Sequence, residues 1–224
     1  MLQILYYFND HLFNGKGHMM FSKNSETQKN EISEYIIKLA NMAEIREGDN
    51  TSHLNRIRTY CHVLCLGMGI PKRESEIISI ASQLHDIGKI YIPDDLISLK
   101  GNYQEKDWLA IQKHTIDGSA FLKNSSSVYL QTGAIIAEFH HERYNGSGYP
   151  YGRREDEIPL AAKIIAVADV YDALVTPRPY KNLLDEKDAY ELIVDSKGVL
   201  FDPKVVEVFK NKYDEIVSIK NARS

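Results

Sequence analysis

The chain has 224 residues, 43% of them hydrophobic and 26% charged, with a net charge of −4. That is enough chain to bury a core without cross-links, and the acidic balance argues against general nucleic-acid or duplex binding, which needs a basic face. No stretch reaches the roughly 20 apolar residues of a membrane span, and the opening MLQILYYF has neither a basic leader nor a small-residue cleavage pattern, so a cytoplasmic protein is expected.

In chain order, residues 1–24 read as an N-terminal extension: an apolar start, then Asn14-Gly15-Lys16-Gly17 and Met19-Met20. A docking tail, a flexible extension and translated sequence upstream of the true start all remain open. Residues 25–224 read as one all-α domain. A first helix opens at Ser25, with Gln28 completing a capping-box pair, and places Ile32, Ile36, Leu39 and Ala43 on one face. A second carries Leu54, Ile57, Cys61, Leu64 and Met68 and stops at Gly69 and Pro71. Its two cysteines, four apart in an apolar run, are expected to be reduced core thiols, since a disulfide at that spacing fits poorly and no second pair suggests zinc. A third helix runs through Ile77, Ala81 and Leu84 into His85-Asp86, with Gly88 as its breaker. Pro93–Gly101 is a connector, and one helix then carries Trp108, Ile111 and His114 on neighbouring turns. Leu130–Glu142 is helical, and Asn145-Gly146-Ser147-Gly148-Tyr149-Pro150 is a loop. Pro159 opens a helix through Ala166, Asp169 and Asp172, and two further helices lie around Asp185–Ser196 and Pro203–Ile219.

Five of the eight histidines recur along these helices beside acidic residues: His53, His85, His114 and the pair His140-His141. Intervals of about a helix plus a loop would deliver one or two ligands from each element to a shared centre. In His85-Asp86, neighbouring helical positions point about 100° apart, so the imidazole can address one ion while the two-oxygen carboxylate bridges to another. Asp49 and His53, four apart, share a face if the helix already includes Asp49. Any one of these histidines alone would be an ordinary surface or core residue, as His11, His18 and His62 are taken to be. Together, imidazole and carboxylate without thiolate suit iron, manganese or zinc. Two ions about 3.5–4 Å apart are the usual apparatus of phosphoester hydrolysis.

The segments HDIGK (85–89), HHERYNGSGYP (140–150), AVADVYDAL (166–174) and RPYK (178–181) resemble, in this order, the HD-GYP family of bacterial phosphodiesterases. The resemblance runs from about residue 40 to 210 and is narrowed from the wider HD phosphohydrolase superfamily by Gly148-Tyr149-Pro150. It implies a helical bundle of the HD-domain type with a GYP loop. The implied reaction is hydrolysis of cyclic di-GMP to pGpG or GMP by a metal-activated hydroxide attacking phosphorus. Carried over residue by residue, His53, His85, Asp86, His114, His140, His141 and Asp169 look like ligands of two divalent ions, iron or manganese being expected, with Asp86 as the bridge. Some members hold a third ion through a carboxylate, usually Glu, where this chain has Asp49.

Lys89 and Asp172 match catalytic positions near the reactive phosphate, and Arg178 and Lys181 match a phosphate-binding pair. Tyr149, with Arg143 and Tyr144 in the same loop, is placed to stack on guanine or to pin the loop; in the family this loop is also associated with GGDEF-domain partners. The chain departs from the family pattern in LKGNYQEKDW, which lacks a proline after the lysine, in SKGVLFDP, and in the missing glycine ahead of His53. Two alternatives stand beside the phosphodiesterase reading: a catalytically weak cyclic di-GMP sensor or GGDEF-partner module, and a hydrolase of a related cyclic dinucleotide such as 3′,3′-cGAMP.

Overall fold

The computed structural model describes residues 25–47, 51–97, 99, 103–176 and 183–221, with the backbone alone for 25–29 and 47. The extension 1–24, the capping side chains of Ser25 and Gln28, and the positions of Asp49, Arg178 and Lys181 lie outside the described residues. Two compact units are distinguished, 1–35 and 36–224. Of the first, the described residues 25–35 are helical.

Among the described residues the elements are helices: α1 (Ser25–Glu47), α2 (Thr51–Gly67), α3 (Lys72–Ala81), α4 (Asp94–Ile97), α5 (Glu105–Gln112), α6 (His114–Leu122), α7 (Val128–Phe139), α8 (Leu160–Val175), α9 (Glu186–Asp195), α10 (Pro203–Asn211) and α11 (Tyr213–Asn221). None is long and apolar enough to cross a membrane. The all-α expectation is met. Cys61 and Cys65 are free and buried, and burial pushes the Cys61 thiol up to about 12.

The core gathers around α8, whose sequence LAAKIIAVADVYDALV is apolar on nearly every side, as befits a central helix. Ile164, Ile165, Val167, Ala168 and Tyr171 pack there with Ile57, Cys61 and Leu64 of α2 and Val205, Val206 and Phe209 of α10. Pro203 starts α10 and Asp202 caps it, accepting from the Lys204 and Val205 amides. The same carboxylate lies 3.0 Å from Lys163 Nζ, which ties α10 to α8. Two polar residues, Asp169 and Asp172, interrupt the apolar surface of α8 at the level of the histidines.

Two expected helices are broken where the site is built. The α-helix of residues 72–81 ends before His85, and the chain continues as two 3-10 turns, Ser82–Leu84 and Ile87–Tyr91, with His85-Asp86 between them. The cause is a close crossing at Gly88, where a Cβ would lie 1.9 Å from the His114 carbonyl oxygen and 2.5 Å from the Gly118 amide. A continued α-helix could not press its backbone onto α6 in this way, and that contact brings Asp86 to His114. The helix expected through Trp108, Ile111 and His114 is likewise two, parted at Lys113, so that His114 opens α6. The connector after Pro93 includes the single turn α4.

Candidate metal centre

Seven residues named from the sequence meet in one place: His53 from α2, His85 and Asp86 from between the 3-10 turns, His114 at the start of α6, His140 and His141 just past α7, and Asp169 of α8. Asp86 is central. Its Oδ1 lies 3.2 Å from His114 Nε2 and 3.5 Å from His140 Nε2, and its Oδ2 lies 3.2 Å from His85 Nε2. Asp169 Oδ1 is 3.8 Å from His85 Nε2 and 3.9 Å from His53 Nε2. The His141 ring stands 4.0 Å from that of His140 and 5.2 Å from that of His114.

The tautomers follow from the partners. His85 Nδ1 faces the Ser82 carbonyl at 3.0 Å, His114 Nδ1 the Ile111 carbonyl at 2.7 Å, and His140 Nδ1 the Ala137 carbonyl at 2.9 Å. A carbonyl only accepts, so each Nδ1 carries a proton and each ring turns its Nε2 inward, a lone pair whenever the ring is neutral. His114 and His140 then oppose lone pairs 3.4 Å apart. His85 Nε2 and Asp86 Oδ1 are buried without a hydrogen-bond partner among the described residues. Such a convergence of lone pairs and carboxylate oxygens is repulsive unless cations fill it. The donor set fits divalent metal ions.

Electrostatics divide the rings. Burial pulls the His85 imidazole down, but the surrounding Asp86, Asp169 and Glu44 carboxylates outweigh it and raise it to about 9. His140 and His141 are driven down by burial and by neighbouring imidazoles. Burial also opposes the charge of Asp86, yet Lys89 and His85 hold its carboxyl well below the usual range. Lys89 Nζ is 2.8 Å from Asp86 Oδ2, at the edge of the ligand cluster.

Asp172, matched by sequence to a position near the reactive phosphate, is instead enclosed beneath His53. One oxygen takes His53 Nδ1 at 2.7 Å and both take Arg56, Nε at 2.6 Å and Nη2 at 2.9 Å. Burial raises its pKa, but the Arg56 and His53 contacts win and keep it lowered. Tyr149 stacks on His141 at 4.7 Å and 28°, lining the site. Tyr144 is turned elsewhere. Its ring lies under Lys163 Nζ and its amide donates to the Leu200 carbonyl, so it fastens the loop to α8 and to the turn ahead of α10. Gly148 is demanded by contact: a Cβ there would meet the Arg143 amide and the His141 carbonyl, each at 2.4 Å. Glu142 accepts from the Tyr151 and Arg153 amides and holds the loop beyond Tyr149.

Sequence reasoning missed three residues. Glu44 of α1 is buried and offers a carboxylate oxygen within 4.8 Å of ring nitrogens of His53 and His85. Burial, opposed in part by Lys89, raises its pKa. Arg56 holds Asp172. Arg46 donates to the Lys89 and Ile92 carbonyls, both at 2.6 Å, and fixes the 3-10 turn that carries Lys89. A glutamate or arginine on a helix has no local signal of its own. The partners, 116 residues apart for Arg56 and Asp172, exist only in the fold.

A family model described as HD domain matches residues 38–205. The chain is 36% identical over 187 residues to 3′3′-cGAMP-specific phosphodiesterase 2 of Vibrio cholerae, covering 84% of this chain and 36% of that protein. It is 39% identical over 174 residues to a cyclic di-GMP phosphodiesterase response regulator of Xanthomonas campestris pv. campestris, covering 78% and 46% respectively. A cyclic di-GMP phosphodiesterase of Thermotoga maritima is 38% identical, with coverages of 82% and 50%. The chain thus spans half or less of the length of these relatives. Among solved structures, a cyclic GMP-AMP-specific phosphodiesterase of V. cholerae aligns with a TM-score of 0.63 at 22% identity, covering 83% of this chain and 50% of that one. An HDG"Y"P protein from Bdellovibrio bacteriovorus aligns at 0.60 and 19% identity, covering 94% and 68%. At those identities the structures speak for the fold. With the HD motif at residues 85–86, the GYP loop at 148–150 and the family match over most of its length, the chain belongs to the HD-domain family, in its HD-GYP branch.

Proposed function

We propose that this chain is a metal-dependent phosphodiesterase that hydrolyses cyclic di-GMP to pGpG or GMP. The observation that carries the reading is the inward convergence of imidazole Nε2 atoms on Asp86, with Lys89 beside it. His53, His85, Asp86, His114, His140, His141 and Asp169 would hold two divalent ions, iron or manganese. Such ions, when bound, supply Lewis acidity and an activated water at neutral pH. The chain's own residues do the rest. Lys89 offers positive charge to the phosphoryl oxygens, and Arg143, with a buried Nη1 lacking a hydrogen-bond partner among the described residues, offers a second cation. Arg178 and Lys181 are assigned the same work from the family resemblance. Asp172 is a positioning residue: it orients His53 and keeps its Nε2 directed inward. Glu44 extends the donor set beside His53 and His85, and Asp49 is the residue the family resemblance matches to the third ion that some members hold. The cytoplasm as location and a GGDEF-domain partner belong to the same reading.

The relatives' names divide between cyclic di-GMP and 3′3′-cGAMP, so the substrate is tested directly. Protein purified without oxygen and loaded with Fe(II) or Mn(II) is given each dinucleotide, with the Asp86→Ala protein alongside. Cyclic di-GMP should be cleaved faster, and the mutant should be at background. Faster 3′,3′-cGAMP cleavage would transfer the assignment to that substrate. Full metal occupancy with turnover of neither would replace the enzyme with a binding module.

A further inference from the structure

The helix α5 has no buried residue, although it carries Trp108, Leu109 and Ile111. Helices this short are held in place by burying an apolar face, yet Trp108 is 47% exposed and Leu109 59%. The position of α5 gives its indole a use. Tyr149 stacks one face on His141 at 4.7 Å and lies 6.4 Å from the His114 ring, while Trp108 meets Tyr149 edge to face at 6.5 Å. A series of touching rings therefore leads from two candidate metal ligands outward to an exposed indole. The Tyr103 ring, 5.9 Å away and inclined by 32°, extends that aromatic surface. His141 occupies one face of Tyr149, and Trp108 and Tyr103 carry the aromatic surface outward from the rim of the centre.

We propose that Trp108, flanked by Tyr103, is a stacking subsite for one purine base of the cyclic dinucleotide whose phosphate reaches the metal centre. The inference rests on the phosphodiesterase reading above. Its occupant follows from continuity: a base tethered through one ribose to a phosphate at the His114–His141 side emerges beside these rings. Every base has a π-face, so this contact supplies affinity and orientation and leaves guanine and adenine undistinguished.

Trp108 is the chain's one tryptophan, so intrinsic emission reports on this position directly. A slowly hydrolysed phosphorothioate analogue of cyclic di-GMP is titrated into the Mn(II)-loaded full chain, followed in parallel by fluorescence and calorimetry. Emission should be quenched with the same midpoint as the calorimetric signal. Trp108→Ala should bind about tenfold more weakly, Trp108→Phe should recover most of the loss, and Leu109→Ala, on the same exposed helix, should bind as the parent does. Circular dichroism confirms that each variant is folded. Calorimetric binding with unchanged emission and an unaltered Trp108→Ala affinity would overturn the subsite alone. No calorimetric binding of the cyclic di-GMP analogue or its 3′,3′-cGAMP counterpart would overturn the phosphodiesterase reading and the subsite with it.

Discussion

On one side of Asp86, His114 and His140 are oriented by main-chain carbonyls of Ile111 and Ala137, within a turn of their own positions. On the other side, His53 is oriented by a side chain, Asp172, which is itself held by the side chain of Arg56. The first arrangement comes with the helix ends and cannot be deleted by a point substitution. The second is a chain of three groups in which a single change strips the support. Asp86 faces both sides. Asp86→Ala should therefore give the largest effect, abolishing bound metal throughout, as measured by elemental analysis of the purified protein, together with turnover. Metal retained in full would remove Asp86 from its bridging place.

Arg56→Ala separates the two sides. Asp172 would be left charged, buried and without its guanidinium partner, a loss of about 3–5 kcal/mol, read as a lower urea midpoint. Asp172→Asn keeps the shape and removes the charge that fixes the His53 tautomer. It should weaken metal binding roughly 10- to 100-fold on the His53 side and leave the His114–His140 side loaded. Equal loss on both sides would mean the two are not separately supported. Gly88→Ala acts on what joins them. Its methyl would meet the His114 carbonyl, and overpacking of this kind costs about 1–3 kcal/mol, so a reduced melting temperature with weakened metal binding is expected.

The residues that converge on Asp86 were legible because each histidine follows or flanks an apolar helical stripe, and the family motifs order them. The helices were legible for the same reason, down to the start of α8 after Pro159. What the sequence hid was the change of helix type before His85. The spacing Ile77, Ala81, Leu84 continues an α-helical stripe without interruption, while the requirement that breaks it is the approach of Gly88 to His114, a contact between distant segments. Lys113 carries ordinary helical dihedrals and announces no break either. Glu44, Arg46 and Arg56 stand off the apolar stripes of their helices and match none of the motifs. Asp172 was matched to a position near the reactive phosphate, and nothing in its spacing tells that its carboxylate turns toward His53 and Arg56.

The smallest expected effect concerns protons. In metal-free protein the His85 imidazole is raised from 6.5 to about 9, so its charged form stabilises the fold fully below pH 6.5 and that contribution is lost as pH rises toward 9. His140 and His141 are shifted the other way, and their neutral forms make the fold lose stability as pH falls below 6.5. These three histidines together favour the metal-free fold most near pH 6.5 and less on each side, the alkaline limb declining by on the order of 1–3 kcal/mol, and the raised Glu44 carboxyl adds a loss as pH climbs above 4.5. Urea unfolding after chelation across that range measures it. His85→Gln should flatten the alkaline limb and leave the acid one. An alkaline limb unchanged in that variant would show that the carboxylates around His85 do not hold its proton. Binding of a divalent ion at His85 must displace the same proton, so calorimetry in buffers of different ionisation enthalpy should record proton release at neutral pH that is lost in the variant.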